Sequence, residues 1–259
     1  MEETFSLMGE TGLEVRGRII RPKPRGPFPL AIVAGDLFDT TQSPFVKELT
    51  KQLLDAGFAV AAFDFTNSLG NSDGRLCDVT LSQRARDLEI VAQHAQGRSY
   101  ITGKKTLVIA TGFGGTAALA LEGFKPIARA LVLVNTPLMV EDTAWTRFPE
   151  REMLRVRLKR YFHVLWQGNE QRINSMFFED AGRIDLARCA RNLVTPTLIL
   201  IGGKSTVTPA AHAAWLEEHA IAATRERVTV PDLADAHDRR EARLVLEQAL
   251  AFCKRHKLL

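Results

Sequence analysis

Five short runs in this chain are apolar at nearly every position: LAIVA (30–34), FAVAAF (58–63), TLVIA (106–110), ALVLV (130–134) and TLILI (197–201). A strand without a polar face must be covered on both sides, which is the situation in parallel sheets flanked by helices. The stretches between these runs carry apolar residues every three or four positions. In 45–56, Phe45, Val46, Leu49, Leu53 and Leu54 share a helical face, and Gly57 stops the run. Helical periodicity also covers 81–95, 116–121, 210–219 and 238 to about 255, and strands are expected at 13–21 and 227–230. Strand and helix alternate almost throughout. The pattern predicts an α/β fold with a mostly parallel central sheet and helices on both faces.

The irregular stretch is 138–192, expected as a helical lid or cap inserted into a core made of 1–137 and 193–259. Leu154, Leu158, Tyr161, Phe162 and Leu165 recur in it at helical spacing, while Arg151, Arg155 and Lys159 lie four apart on another face. The formal net charge of +4 has its source here: seven basic residues against three acids between Arg147 and Arg172. Either these cations are solvated, or the basic lid face meets an acidic ligand or partner. A nucleic-acid binder would spread its charge more widely and interleave aromatic residues, so nucleic acid is not expected.

With 259 residues, the chain buries enough surface to fold without a metal or disulfide staple. Its three cysteines, Cys77, Cys189 and Cys253, are far apart and odd in number, which argues for a reducing compartment. The beginning, MEETFSLMGE, lacks the apolar core of a secretory signal. No apolar run approaches the roughly 20 residues that span a bilayer. A cytoplasmic location without membrane insertion is the expectation. No HExxH or CxxC spacing occurs, and no metal or other cofactor is expected.

The order of elements resembles the α/β-hydrolase family over essentially the whole chain, with bacterial esterases and acylaminopeptidase-like members the nearest in look. PFVKELTKQLLDAGFAVAAFDFTNSLGNSDG is similar to that family's helix, strand and FDF-x-G-x-G-x-SDG loop. IATGFGGTAALAL stands where the family places its nucleophile elbow, and ARALVLVNTP and PTLILIGGKSTVTP where it places its sixth and seventh strands. The resemblance implies the hydrolase fold. It also implies where the catalytic groups should be, and there the chain departs from the pattern.

The family's elbow reads G-x-S-x-G, with a serine on a strained turn. Here Ala110, Thr111, Gly112, Phe113 and Gly114 take those positions, so Gly112 replaces the nucleophile. Glycine tolerates the turn's dihedrals, but it has no oxygen to attack a carbonyl. The acid position, in Gly202-Gly203-Lys204-Ser205-Thr206-Val207-Thr208-Pro209, holds Ser205, which cannot stabilise an imidazolium as Asp does. His237 alone stands where the family's histidine would, as a relic or a base. The oxyanion segment becomes Ala34-Gly35-Asp36-Leu37, in which the Asp36 carboxylate either opposes a developing negative charge or caps the next turn and faces solvent.

The reading that follows is a catalytically degenerate α/β-hydrolase-fold protein that binds a small molecule or a protein. Its pocket would lie among Gly35, Asp36, Leu37, Thr111, Phe113, Asn135 and His237. One alternative is an enzyme of different chemistry, with His237 as base or a displaced nucleophile at Thr111, Ser205 or Ser43. Another takes the pattern of residues 112–117, G-x-G-x-x-A, as a dinucleotide fingerprint, although the next strand ends at Asn135 without an acid for a ribose.

Overall fold

A computed structural model describes residues 1–23, 26–140, 158–206, 208 and 210–258. The apolar runs become the middle of an eight-stranded sheet of order β1-β2-β4-β3-β5-β6-β9-β10. Its strands are β1 (Glu2–Met8), β2 (Glu14–Ile20), β3 (Phe28–Ala34), β4 (Ala59–Asp64), β5 (Ile101–Thr111), β6 (Ala130–Val134), β9 (Thr197–Gly202) and β10 (Arg225–Val230). The pairings from β4 through β3, β5, β6 and β9 to β10 are parallel, whereas β1–β2 and β2–β4 are antiparallel. Every residue of β4, β6 and β9 is buried, as expected for strands covered on both faces.

The helices are α1 (Pro44–Asp55), α2 (Leu81–Gln96), α3 (Gly112–Glu122), α4 (Met176–Ala181), α5 (Leu186–Asn192), α6 (Ala211–His219) and α7 (Arg239–Arg255). Phe45, Leu49 and Leu53 of α1 and Val245, Ala249 and Phe252 of α7 fill one side of the sheet. Leu88 and Val91 of α2, Leu119 of α3, Cys189 of α5 and Leu216 of α6 fill the other. Local chemistry sets the ends of these helices. Pro44 opens α1 where no amide donor is needed. Asp238 and Glu241 close a capping box on α7. Among the described residues no helix is long and apolar enough to cross a membrane.

The 138–192 insertion differs from the expected helical stripe. Tyr161–Trp166 (β7) and Asn169–Asn174 (β8) pair as an antiparallel hairpin, followed by the short helices α4 and α5. Phe162, Val164 and Trp166 pack inward while Leu165 is exposed, a period of two where helical spacing had suggested a period near four. Aromatic and β-branched residues favour a strand, and Gln167 and Gly168 both adopt the positive φ that a tight hairpin turn requires. Arg151 and Arg155 lie outside the described residues, and Lys159 is exposed. Strand β1 was not anticipated either. Its alternation of Phe5 and Leu7 with polar residues is the signal for it.

Candidate functional site

The site forms where β3, β5 and β6 end and α3 begins. Gly112 has φ +50°, and a Cβ added to it would lie 2.1 Å from Cγ of Asp36. The neighbouring glycines are packed just as closely. A Cβ at Gly114 would stand 2.3 Å from the Gly35 carbonyl, and one at Gly115 would stand 2.1 Å from Oγ1 of Thr136. The first turn of α3 thus rests directly on the loops after β3 and β6. That contact accounts for the glycine spacing without any bound phosphate. Thr111, the last residue of β5, is buried but does not line the crevice.

Asp36 occupies what the glycine leaves. It is buried, and its Oδ1 accepts the backbone N–H of Phe113 at 2.7 Å, so the carboxylate sits on the N-terminus of α3 and does not face solvent. In the hydrolase architecture this N–H, following the nucleophile, and one from the loop after β3 form the oxyanion hole. Of the loop's two candidates, the N–H groups of Asp36 and Leu37, that of Asp36 donates to Oδ2 of Asp39 at 3.2 Å. The N–H groups of Phe113 and Asp36 are therefore engaged by carboxylates of the chain itself. Beneath them Arg84 is fully buried, stacks 3.8 Å from the Phe65 ring centre, and donates from Nη2 to the carbonyls of Gly35 (2.6 Å) and Asp36 (3.1 Å). Burial pulls the Arg84 guanidinium down to about 10, against the opposing pull of Asp36, Asp87 and Asp39. Burial, reinforced by Asp36, raises the Asp39 carboxyl above the ordinary range. Leu37 and Phe113 have no exposed surface and belong to the apolar cluster under the lid.

Across the crevice, the loop after β10 presents His237. Ala236 adopts φ +62°, unusual for a residue with a Cβ, immediately before it. Glu241 fixes the loop: its Oε1 accepts the N–H of Ala234, and its Oε2 accepts those of His237 (2.7 Å) and Asp238 (3.0 Å). Asn135, at φ +45°, ties the strand ends together, accepting the Gly202 N–H and donating to the Ala234 carbonyl. Among the described residues no carboxylate is hydrogen-bonded to the imidazole, although its charge acts on the Asp39 carboxyl. Nδ1 of His237 is cut off from solvent and has no hydrogen-bond partner among the described residues. Ser205 donates 2.7 Å to Oδ1 of Asp235, and Thr206 contacts the other oxygen at 3.3 Å. Asp235, Asp39 and Arg84 were missed in the sequence. Only the spacing of Asp235, two residues before His237, was visible there.

The hairpin closes the top. Trp166 lies edge-on to His237 and stacks on Phe38, with centroids 5.0 Å apart in both cases. Phe177 of α4 meets Phe113 edge-to-face at 4.9 Å. What remains open among Asp36, Gly112, Asn135, Pro137, Thr208, Asp235 and His237 is about 10 Å³. That is room for one water at most. Among the described residues no group of His, Cys, Asp and Glu converges as metal ligands would.

Comparison with known proteins agrees with this architecture. Residues 33–254 match the model of a family described as the alpha/beta hydrolase family. No curated protein matches the chain. Among solved structures it is similar to Est1E from Butyrivibrio proteoclasticus with ferulic acid bound, at TM-score 0.82 and 18% identity over 97% of this chain and 98% of that one. A putative hydrolase from Agrobacterium vitis S4 is similar at TM-score 0.79 and 19% identity, over 97% and 99% of the two chains. The esterase domain of a Rhodothermus marinus protein is similar at TM-score 0.71 and 20% identity, over 98% of each. At these identities the likeness shows the fold alone.

Proposed function

We propose that this chain, which belongs to the alpha/beta hydrolase family, is a catalytically degenerate member that acts by binding a ligand or protein partner and does not turn over esters. One observation carries the reading. The carboxylate of Asp36 stands against Gly112, where a nucleophile would project, and holds the Phe113 N–H that would otherwise receive an oxyanion. Loss of a triad serine costs about 10⁶ in turnover, or roughly 8 kcal/mol of barrier. A resident anion in the oxyanion hole repels the charge that acyl transfer must develop there. The unpartnered Nδ1 of His237 supports the same reading, because an imidazolium formed at that ring would have no carboxylate hydrogen-bonded to it.

The test is labelling of purified protein with a fluorophosphonate, together with p-nitrophenyl acetate hydrolysis. The expected result is unmodified protein and hydrolysis no faster than in buffer. Stoichiometric labelling at Thr111, Ser205 or Ser43 would instead establish a displaced nucleophile. A second reading, with His237 as a general base in other chemistry, draws support from the positive φ of Ala236, since backbone strain of about 1–2 kcal/mol is held next to the imidazole. Under that reading a turnover would exist that His237→Gln abolishes without loss of folding.

A further inference from the structure

Strand β1 is the last strand on its side of the sheet and is bonded to β2 alone. Its seven residues pair without a register shift, from Glu2 opposite Ile20 to Met8 opposite Glu14. The phase of this ladder is set at both ends, where the Arg21 N–H donates to the Met1 carbonyl and the Gly9 N–H to the Leu13 carbonyl. In an antiparallel ladder hydrogen-bonded pairs alternate, so the odd residues of β1 turn their backbone groups toward β2 and the even residues turn theirs outward. Glu2, Thr4, Ser6 and Met8 are all exposed and present their N–H and C=O groups along the open edge. Among the described residues no group is hydrogen-bonded to them there. Proline, a bulge or lysine commonly blunts such an edge. Strand β1 has none of these. Its two acids are drawn sideways instead: Glu3 to Arg98 at 2.6 Å and to the Tyr100 hydroxyl at 2.8 Å, Glu2 toward Arg18 at 3.5 Å.

The sequence of β1 is complementary to itself. Antiparallel pairing of two copies about a two-fold axis at Phe5 sets Glu2 against Met8, Thr4 against Ser6 and Glu3 against Leu7. No like charges then stand opposite each other, a juxtaposition that would destabilise the pair. Even residues meet even residues, so every outward N–H and C=O between Glu2 and Met8 finds a partner. Moving the axis to Thr4 leaves Met8 unpaired, and moving it to Ser6 brings Glu2 level with Glu10. At the axis itself Phe5 does not obstruct the approach. Its ring leans back over Gly17, where an added Cβ would lie 2.5 Å from the Phe5 Cζ, and meets the His94 ring at 5.0 Å. Met8, 63% exposed in the single chain, gains cover from the second copy.

We propose that β1 is a homodimer contact, in which two copies of this chain pair antiparallel about Phe5 and join their sheets into one. A seven-residue edge is small beside a standard interface of about 1,600 Å², so the association is weak and depends on protein concentration.

Analytical ultracentrifugation of the wild-type chain over a range of concentrations should show a monomer–dimer equilibrium. Thr4→Pro removes an outward N–H that β2 does not use, a change an edge strand tolerates. It should weaken dimerisation at least about tenfold while circular dichroism stays that of wild type. The register is read at Met8, an exposed position facing Glu2 of the second copy. Met8→Lys should tighten the dimer and Met8→Glu should loosen it, each by about two- to thirtyfold from the two symmetry-related pairs. Both keep the test readable should Thr4→Pro not fold. A wild-type chain that stays monomeric at about 0.5 mM overturns the proposal and leaves the edge to a foreign strand. A dimer whose strength ignores all three substitutions overturns it as well, because the contact then lies elsewhere, as at the β10 edge. Pairing at β1 makes no demand on the crevice, so its outcome is read separately from fluorophosphonate labelling and ester turnover.

Discussion

Replacing Gly112 by serine restores the missing hydroxyl on paper, and the structure says why it should fail. A Cβ at this position falls 2.1 Å from both Cγ and Oδ1 of Asp36, far inside contact distance. The backbone of α3 cannot retreat, because Gly114 and Gly115 are already pressed against Gly35 and Thr136. Asp36 must therefore swing away and give up the Phe113 N–H, a charge-assisted bond worth about 1.5–3 kcal/mol. Holding a residue with a Cβ at φ +50° adds about 1–2 kcal/mol. Gly112→Ser should accordingly lose about 2.5–5 kcal/mol, the sum of those two effects. At about 2–4 °C per kcal/mol this is a fall in Tm on the order of 10 °C. In the Asp36→Ala background the overlap is gone, and the same change should cost only the backbone strain. The double-mutant cycle, measured by urea denaturation, should therefore show a coupling of about 1.5–3 kcal/mol. Additivity within about 0.5 kcal/mol would refute the claim that Asp36 fills the nucleophile's place. Neither variant should become an efficient esterase, since no carboxylate among the described residues is hydrogen-bonded to His237; robust p-nitrophenyl ester turnover by Gly112→Ser alone would count against that account of Ser205.

Three further outcomes follow from the same geometry. Asp36→Ala removes the carboxylate that holds the Phe113 N–H at the positive end of α3, so the variant should bind a small anion such as acetate more tightly than wild type; calorimetry showing equal or weaker binding would contradict this. Burial and Asp36 raise the Asp39 carboxyl, so the folded state holds that proton more tightly than the unfolded chain, and its contribution to stability falls as pH rises from the ordinary carboxylate range through the raised value. Asp39→Asn removes this slope, and its Tm relative to wild type should therefore become more favourable between about pH 4 and pH 7; a difference independent of pH would speak against it. Glu241→Ala leaves the N–H groups of Ala234, His237 and Asp238 without their carboxylate and should cost about 1–3 kcal/mol in urea denaturation.

The fold was legible because its evidence is local. Residues 130–134 or 197–201 have no polar face to offer, and such strands are stable only where helices cover both sides, so each run carried its own environment with it. The hairpin at 161–174 was illegible for the opposite reason. Tyr161, Phe162 and Leu165 fit a helical stripe as well as Phe162, Val164 and Trp166 fit a strand, and only packing against Leu37, Phe38 and Phe113 decides between them. The site divides in the same way. Gly112, Ser205 and His237 could be placed by position along the chain. Asp36 could not be understood that way, because its partner is 77 residues distant and the two meet only after β3 and β5 pair. That distinction changes the functional argument. A glycine at an elbow, taken alone, is a deletion, and a deletion leaves both backbone donors open to an anion. A glycine with a carboxylate folded over it is a replacement, and it takes up the Phe113 N–H that an oxyanion would need. On the degenerate reading, the missing nucleophile and the occupied donor then share one cause, the placement of Asp36, whose backbone carbonyl Arg84 holds from below.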